Sequence, residues 1–463
     1  MNITKNALRS YKDINEYNEK KVNECPIIHA IKDSNDVFFC KSESILIIKT
    51  SDTFGLPIIG NEEILRQPCK MYIDGIECEV TTTPQIELVE LENGDYKEYE
   101  IKYVFNTNTL TNCHNLINLN CDEFLISPPC HEIDLTNFDT SNVTDMSYMF
   151  YGETSSSMVV SIVGLYNLNT SNVTNMSHMF DGPVIYSGND IANFDTSNVT
   201  DMSYMFRGAY ENLTRLDISN FNTSNVTNME SMFEYCTHLT SLDFSNFDTS
   251  KVTNMKNMFK GCSHLSSLNI TKFDTFNVIN MNSMFYNCTI LTSITFSDKF
   301  DTSNVTDMGY MFYYCNKLIT LDVSSFDTSN VTDMGYMFYK CNNLFSSNFN
   351  VKNFNTFNVI NMTYMFFDCR NLTSLDLSNW NTSKLINMTN MFNSCTNLIS
   401  IKFGSNSYVY NVTSYDRVFT MAHDVTLILC ENTKESWETL LSNINNIGGT
   451  YDIVPSVEYI ECN

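Results

Sequence analysis

Sixteen cysteines and a recurring aspartate are the first residues in this 463-residue chain whose spacing suggests chemistry. Seven of the thiols, Cys236, Cys262, Cys288, Cys315, Cys341, Cys369 and Cys395, recur every 26 to 28 residues. A metal centre needs ligands from several loops converging tetrahedrally on one point. A single-file column does not supply that, so these thiols are expected to be reduced, buried and used as small apolar fillers. The other nine, Cys25, Cys40, Cys69, Cys78, Cys113, Cys121, Cys130, Cys430 and Cys462, lie in the flanks, where a disulfide stays open. Asp139, Asp195, Asp248, Asp274, Asp301 and Asp327 share one slot, as the carboxylates of a calcium-binding coil would. That slot is Asn at 169, 222, 355 and 381, however, and calcium coils carry Gly-Gly-x-Gly-x-Asp. Seven histidines are scattered; His178, His238 and His264 have no repeated acid or cysteine partner and read as solvated. There is no Gly-rich phosphate loop, His-Glu-x-x-His or Gly-x-Ser-x-Gly. The expectation is therefore no enzyme, no catalytic residue, no cofactor and no metal.

These residues are positioned by a repeat. Phe326-Asp327-Thr328-Ser329-Asn330-Val331-Thr332-Asp333-Met334 is nearly duplicated from Phe300. Its first aromatic recurs at Phe138, Phe194, Phe221, Phe247, Phe273, Phe300, Phe326, Phe354 and Trp380, with Leu168 in the same slot. A Thr follows two residues later in every unit, from Thr140 to Thr382, and a backbone-bonding role suits it. Val143, Met146, Met149 and Phe150 are spaced to share one face of a short helix. Ser141 or Asn142 is the expected N-cap, with Asp145 in the first turn. Cys236, Leu239, Leu242 and Phe244 then lead into a short strand. Such a unit buries its apolar face only by stacking on its neighbours. Strands stack more closely than helices pack, so the coil is expected to curve with its strands on the concave side. Residues on that side, such as Ser241, Asp243, Thr320, Asp322, Ser374 and Asp376, are small and polar.

On the helical projection, the slot before each Met-Phe pair faces outward, and the slot after it does so less fully. Across four adjacent coils these slots hold Tyr286, Tyr310, Tyr313, Tyr336, Tyr339, Tyr364 and Phe367. In the two preceding coils they hold Ser231, Glu234, Asn257 and Lys260. A contiguous aromatic patch marks an interface, and Tyr is a favoured anchor. The alternative is that the rings stack only to stiffen the coil. The seven aromatics are the candidate partner-binding residues.

The words Leu-Thr-Ser-Leu-Asp-Leu-Ser-Asn-Trp (372–380) and Phe-Asp-Thr-Ser-Asn-Val-Thr-Asp-Met (326–334), with the following Met-Phe and Cys, resemble the BspA-like leucine-rich-repeat family. That family is also described as the DUF285-type repeat of mycoplasma surface lipoproteins. The resemblance covers about 110–420 and implies a surface or adhesive protein without enzymatic activity. The fold expected is thus an α/β repeat, a leucine-rich-repeat-like solenoid with one strand and one short helix per coil of about 26 residues. Residues 106–420 would form about eleven coils, 1–105 an N-terminal β-rich domain or cap, and 421–463 a C-terminal cap. In the N-terminal part, Val37-Phe38-Phe39 and Ile45–Ile48 are candidate strands. Asp74-Gly75 and Asn93-Gly94-Asp95 are hairpin turns, the second joining Ile86–Leu91 to Tyr96–Val104. The early inserts Gly152–Leu165 and Gly182–Ile191 should form loops. In the tail Val425–Leu429 is a strand, and 433–446 is an amphipathic helix burying Trp437, Leu440, Leu441 and Ile444, stopped by Gly448-Gly449.

Net charge is −26, from 53 acids and 27 bases. That argues against nucleic acid and anionic membrane surfaces, and for a soluble rod. The amino terminus lacks an apolar signal segment and a lipoprotein-type cysteine, and no apolar run is long enough to span a membrane. With many Asn-x-Ser/Thr sequons and thiols inside the repeat, the expected site is cytoplasmic or virion-associated, with the cell surface as the alternative. The function expected is a non-enzymatic structural repeat protein that presents its solenoid to protein partners, with no membrane insertion. A BspA-type adhesin of host or matrix proteins is the alternative.

Overall fold

A short run of Asn, Asp, Ser and Thr between apolar residues has weak helix propensity, and an isolated two-turn helix is marginal in water. Stacked coils offer the backbone an alternative, because each neighbour presents a matching row of N–H and C=O groups. The computed structural model takes that alternative throughout. It describes residues 43–50, 60, 69–81, 99–106, 108, 110–117, 132–152, 160–182, 184–185, 190–209, 213–420, 425–446 and 454–462.

Each coil is a series of turns tied to the next coil by backbone hydrogen bonds. The Met146, Tyr148 and Phe150 N–H groups donate to the carbonyls of Asn175, Ser177 and Met179 at 3.0, 2.9 and 3.0 Å. Intervening N–H groups close turns within the coil, such as Met149 to Met146. One column of parallel bridges runs from Asn112 through Asp145, Asn175, Asp201 and on to Ser414, about twelve turns of a β-solenoid. The helix expected over Val143–Phe150 is absent. The residue before each Met-Phe pair, such as Tyr148, Tyr204 and Tyr336, lies at a φ of 56 to 59°, which no right-handed helix contains. Val143, Met146, Met149 and Phe150 are nonetheless fully buried, because the turns aim them inward as the helix would have done. The expected curvature rested on a layer of packed helices, which these coils lack. Asp145 does not cap a helix; its Oδ1 accepts the Ser147 N–H at 2.9 Å and closes an Asx turn.

The second column is more strand-like. β1 (Glu43–Thr50), β2 (Cys69–Ile73), β3 (Ile76–Cys78) and β4 (Tyr99–Asn106) precede the coils. β5 (Glu132–Asp134), β6 (Val160–Val163) and β7 (Val184–Ile185) belong to them. All seven make one sheet, ordered β3-β2-β4-β1-β5-β6-β7. β1 pairs antiparallel with β5, and β5–β6–β7 are parallel, so the N-terminal strands lie directly on the sheet of the first coils. β2 and β3 form the Asp74-Gly75 hairpin, whose turn residues have φ of 47° and 81°. Val37–Phe39, the 86–95 hairpin and half of each insert lie outside the described residues, although β6 and β7 show that each insert carries a strand.

Further on, β8 (Ser267–Asn269) pairs with β9 (Ser293–Thr295). β10 (Ser374–Leu377), β11 (Ser400–Phe403), β12 (Thr426–Cys430) and β13 (Ser456–Ile460) form a parallel sheet at the C-terminal end. The helix α1 (Lys434–Asn446) buries Trp437, Leu440, Leu441 and Ile444, as its sequence predicts; Gly448-Gly449 lies outside the described residues. A disulfide, Cys430–Cys462, ties β12 to the segment after β13. In a chain-entropy account, a loop of that size stabilises by about 3–4 kcal/mol.

Between the columns lies one continuous core. Phe150, Phe180, Phe206, Phe233, Phe259, Phe285, Phe312, Phe338, Phe366, Phe392 and Phe419 stack with centroids 5.4 to 5.9 Å apart. The repeated thiols are at most 1% exposed and free. Each S–H donates to the carbonyl of a Phe one coil earlier, Cys236 to Phe206 at 3.0 Å and Cys341 to Phe312 at 3.1 Å. Burial pushes the Cys288 and Cys395 thiols up to about 12, so they remain protonated fillers. The Thr column is a line of rivets. Thr249 Oγ1 donates to Asp274 O at 2.8 Å and accepts the Asp274 N–H at 2.8 Å. The Asp slot closes Asx turns: Ser329 N–H donates to Asp327 Oδ1 at 2.9 Å, and Ser383 N–H to Asn381 Oδ1 at 3.0 Å. An amide oxygen does this as well as a carboxylate, which is why Asn and Asp interchange there.

Candidate interaction surface

The seven candidate aromatics sit on turns, not on helices, and the structure brings all of them together. Tyr310, Tyr336 and Tyr364 occupy the left-handed position before Met-Phe, with φ of 60, 59 and 55°. Their rings stack in one file, 4.6 Å between Tyr310 and Tyr336 and 4.7 Å between Tyr336 and Tyr364. Tyr286, Tyr313, Tyr339 and Phe367 form a second file with spacings of 4.4, 4.5 and 4.8 Å. The interplanar angles within the two files are 3 to 12°. The files also touch each other, Tyr310 to Tyr313 at 5.8 Å and Tyr336 to Tyr339 at 5.7 Å. All seven side chains are half-buried.

This geometry has two consequences. The ring faces are taken up by neighbours, so what remains for a partner is the row of ring edges and hydroxyls. That row repeats with the coil spacing, a little under 5 Å. Burial comes first in raising the pKa of the Tyr310, Tyr336, Tyr313 and Tyr339 hydroxyls, helped by Asp333 at Tyr310, Asp368 at Tyr339 and neighbouring tyrosines at all four, so they are neutral donors and acceptors at physiological pH. Gly309 and Gly335 precede two of these tyrosines. A Cβ on Gly335 would lie 2.8 Å from Asn361 Nδ2. Its absence lets that amide reach both Asp333 oxygens at 3.0 Å, which holds adjacent coils in register under the tyrosines.

Four overlapping stretches, 120–212, 155–266, 210–320 and 315–430, match the family model DUF285, described as a Mycoplasma protein of unknown function. The chain belongs to the DUF285 family. Those matches span about two thirds of its length and include every aromatic of the two files. No curated protein matches the chain.

In this DUF285 chain the same two slots form continuous columns beyond the patch, and the N-terminal part was missed by the sequence reading. Tyr148, His178 and Tyr204 stack at 4.2 and 4.4 Å. His178 is therefore not a solvated surface histidine. Its Nδ1 lies 2.7 Å from Asp181 Oδ2, and its side chain is 15% exposed. Asp181 is fully buried and also accepts Arg207 Nε at 2.9 and 3.0 Å. Glu234 and Lys260 pair at 2.8 Å one step further, and the Lys260 ammonium lies 5.6 Å from the Tyr286 ring centre, at the foot of the second file. The Tyr204 hydroxyl donates to Glu230 at 3.0 Å; burial and that bond push its pKa up to about 12. Aligning the slot over all coils, rather than over the two before the patch, would have shown this column. His238 and His264 stack on each other at 5.0 Å. No group of three or more His, Cys, Asp or Glu is placed to hold a metal among the described residues, and no helix there is long and apolar enough to cross a membrane.

Proposed function

We propose that this chain is a non-enzymatic interaction rod whose contact surface is the double tyrosine file. One observation carries the reading: seven half-exposed aromatics are contiguous over four coils, in slots that hold Ser, Asn, Glu and Lys in the coils just before. Stacking explains part of this, since it stiffens the coils. It also prepares the surface for binding, because rings already held by their neighbours lose little rotamer freedom when a partner docks. Tyrosine edges with neutral hydroxyls suit a protein surface offering backbone carbonyls and apolar side chains. The solenoid fold and the family membership are consistent with a protein-interaction role, and the BspA-like resemblance supports it further; a place in a virion or similar assembly is one setting for such a rod.

The test is chemical cross-linking with mass spectrometry in native extract, comparing the wild type with a Tyr310→Ser, Tyr336→Ser, Tyr364→Ser variant. Partner cross-links should cluster within 286–367 and vanish in the variant. Cross-links that persist, or that map to other faces, would overturn the proposal.

A second reading, an exported surface adhesin, is favoured by the Cys430–Cys462 disulfide, which suits an oxidising compartment. The repeat thiols do not oppose it, because they are buried out of reach of oxidants. The sequon amides do weigh against glycosylation: Asn172, Asn198, Asn330 and Asn411 each use Nδ2 to bond a Ser carbonyl one coil earlier. An intact mass of the native protein separates the two readings through its disulfide and any glycan.

A further inference from the structure

From Phe194 onward one coil departs most from the repeat: Phe326 to Phe354 spans 28 residues, and the extra pair falls in the strand column near Ser347-Asn348. There the ladder is broken. Ser293 bridges to Thr320, and pairing resumes only at β10, Ser374–Leu377. The Ser346 hydroxyl bridges the break, donating to Ser374 O at 2.7 Å and accepting the Thr373 and Ser374 N–H groups at 3.0 Å. The bulge lines a cleft of about 590 Å3 that is half open to solvent. Its rim carries Asp322, Asn350, Lys352 and Asp376, with the Ser347 hydroxyl beside them.

We propose that this cleft binds a neutral saccharide. Asp322 uses Oδ1 to accept from the Ser324 N–H at 3.0 Å and the Ser324 hydroxyl at 2.6 Å. Its Oδ2 is left to accept from a guest. Asp376 pairs with Lys352 Nζ at 3.0 Å. The Asn350 Oδ1 accepts the Lys352 N–H at 2.9 Å, which leaves its NH2 as a donor. Fixed carboxylates, a carboxamide and an ammonium around one cleft match the alternating donors and acceptors of a polyol. Other ligand classes fit less well. Two carboxylates against one ammonium that is already paired disfavour phosphate. The apolar floor, Leu321, Phe349, Val351 and Leu375, is at most 5% exposed, too little for an apolar guest. Ser346 already occupies the backbone edge that an added peptide strand would need.

The experiment uses the full chain with cellotetraose, maltotetraose and chitotetraose as probes, read by isothermal titration and saturation-transfer NMR. At least one should bind with a Kd of about 0.1–1 mM, and Asp376→Asn and Asn350→Ala should each weaken it at least about tenfold. Both residues are exposed; Asp376→Asn keeps the acceptor for the Ser378 N–H and should leave the melting temperature unchanged, whereas Asn350→Ala opens one turn and should lower it by a few degrees at most. Tyr336→Ser should leave saccharide affinity unchanged, which separates this cleft from the tyrosine surface. Silence from all three probes at about 10 mM, or binding that neither cleft variant alters, would overturn the proposal.

Discussion

Tyr336 shows how a single residue is held against its own preference. Its φ of 59° is one that a non-glycine side chain adopts at a cost of about 1–2 kcal/mol. Two stacked neighbours, Tyr310 and Tyr364, return about 0.5–1.5 kcal/mol each. The two effects nearly cancel, so substitution should be mild where the backbone is relieved and harsher where it is not. Asn occupies the same slot at 257 and 390 and tolerates this conformation well. Tyr336→Asn is therefore expected to lose about 1 kcal/mol or less, and Tyr336→Val, β-branched and unstacked, about 2–3 kcal/mol, in urea unfolding. Equal losses for the two would show that the left-handed turn is not strained. The helical projection pointed these rings outward and left stacking open as the alternative to an interface; the left-handed backbone was not visible in it. The aromatic slots could be read from sequence; their mutual stacking required the distance between coils.

At the scale of one coil, the apolar residues were legible and the backbone was not. Val143, Met146, Met149 and Phe150 fit a helical face and a series of inward turns equally well, because either conformation brings the four to one side. What decided between them was the neighbouring coil, whose carbonyls take the Met146, Tyr148 and Phe150 N–H groups that a helix would have used internally. The polar columns then set the register between coils. Asp181, Arg207, Glu234 and Lys260 alternate in sign along one column and pair across the coils, whereas Asp248, Asp274, Asp301 and Asp327 stack as like charges in another and hold their own turns. The threonine rivets fix the same register from within. Thr249 is fully buried and satisfies both the N–H and the C=O of Asp274. Thr249→Val keeps the shape but strands both groups, and should cost about 2–4 kcal/mol, while Thr249→Ser should cost about 1 kcal/mol or less. Thermal melts of the two variants check this; a Val variant as stable as the Ser variant would mean the hydroxyl is dispensable.

For the whole molecule, charge and hydrogen bonding oppose each other. The Asp217, Asp248 and Asp322 carboxyls sit below their usual range because Ser hydroxyls and N–H groups two residues on bond the ionised form. A carboxyl whose folded pKa is depressed adds stability above its unfolded value near 3.8, and that stability is lost as pH falls through the folded value. The melting temperature should therefore hold from pH 7 to about 5 and drop below about pH 4, with many turns contributing in parallel. At pH 7 the excess of 26 negative charges repels itself, so about 0.5 M NaCl should raise the melting temperature rather than lower it. A fall in salt would mean that the ion pairs of the Asp181–Lys260 column outweigh the net charge. The sequence alone determined that equivalent residues form columns along one elongated core, because a period of 26 to 28 residues with apolar slots in phase leaves stacking as the way to bury them. It also determined the C-terminal helix, whose amphipathic pattern is long enough to be unambiguous. Only the tertiary structure decided that the coils are turns rather than helices, that the N-terminal strands join the first coils' sheet, that Cys430 meets Cys462, and that His178 rests on a buried aspartate. Each of these depends on what lies one coil away or at the far end of a loop, where local propensity carries no information.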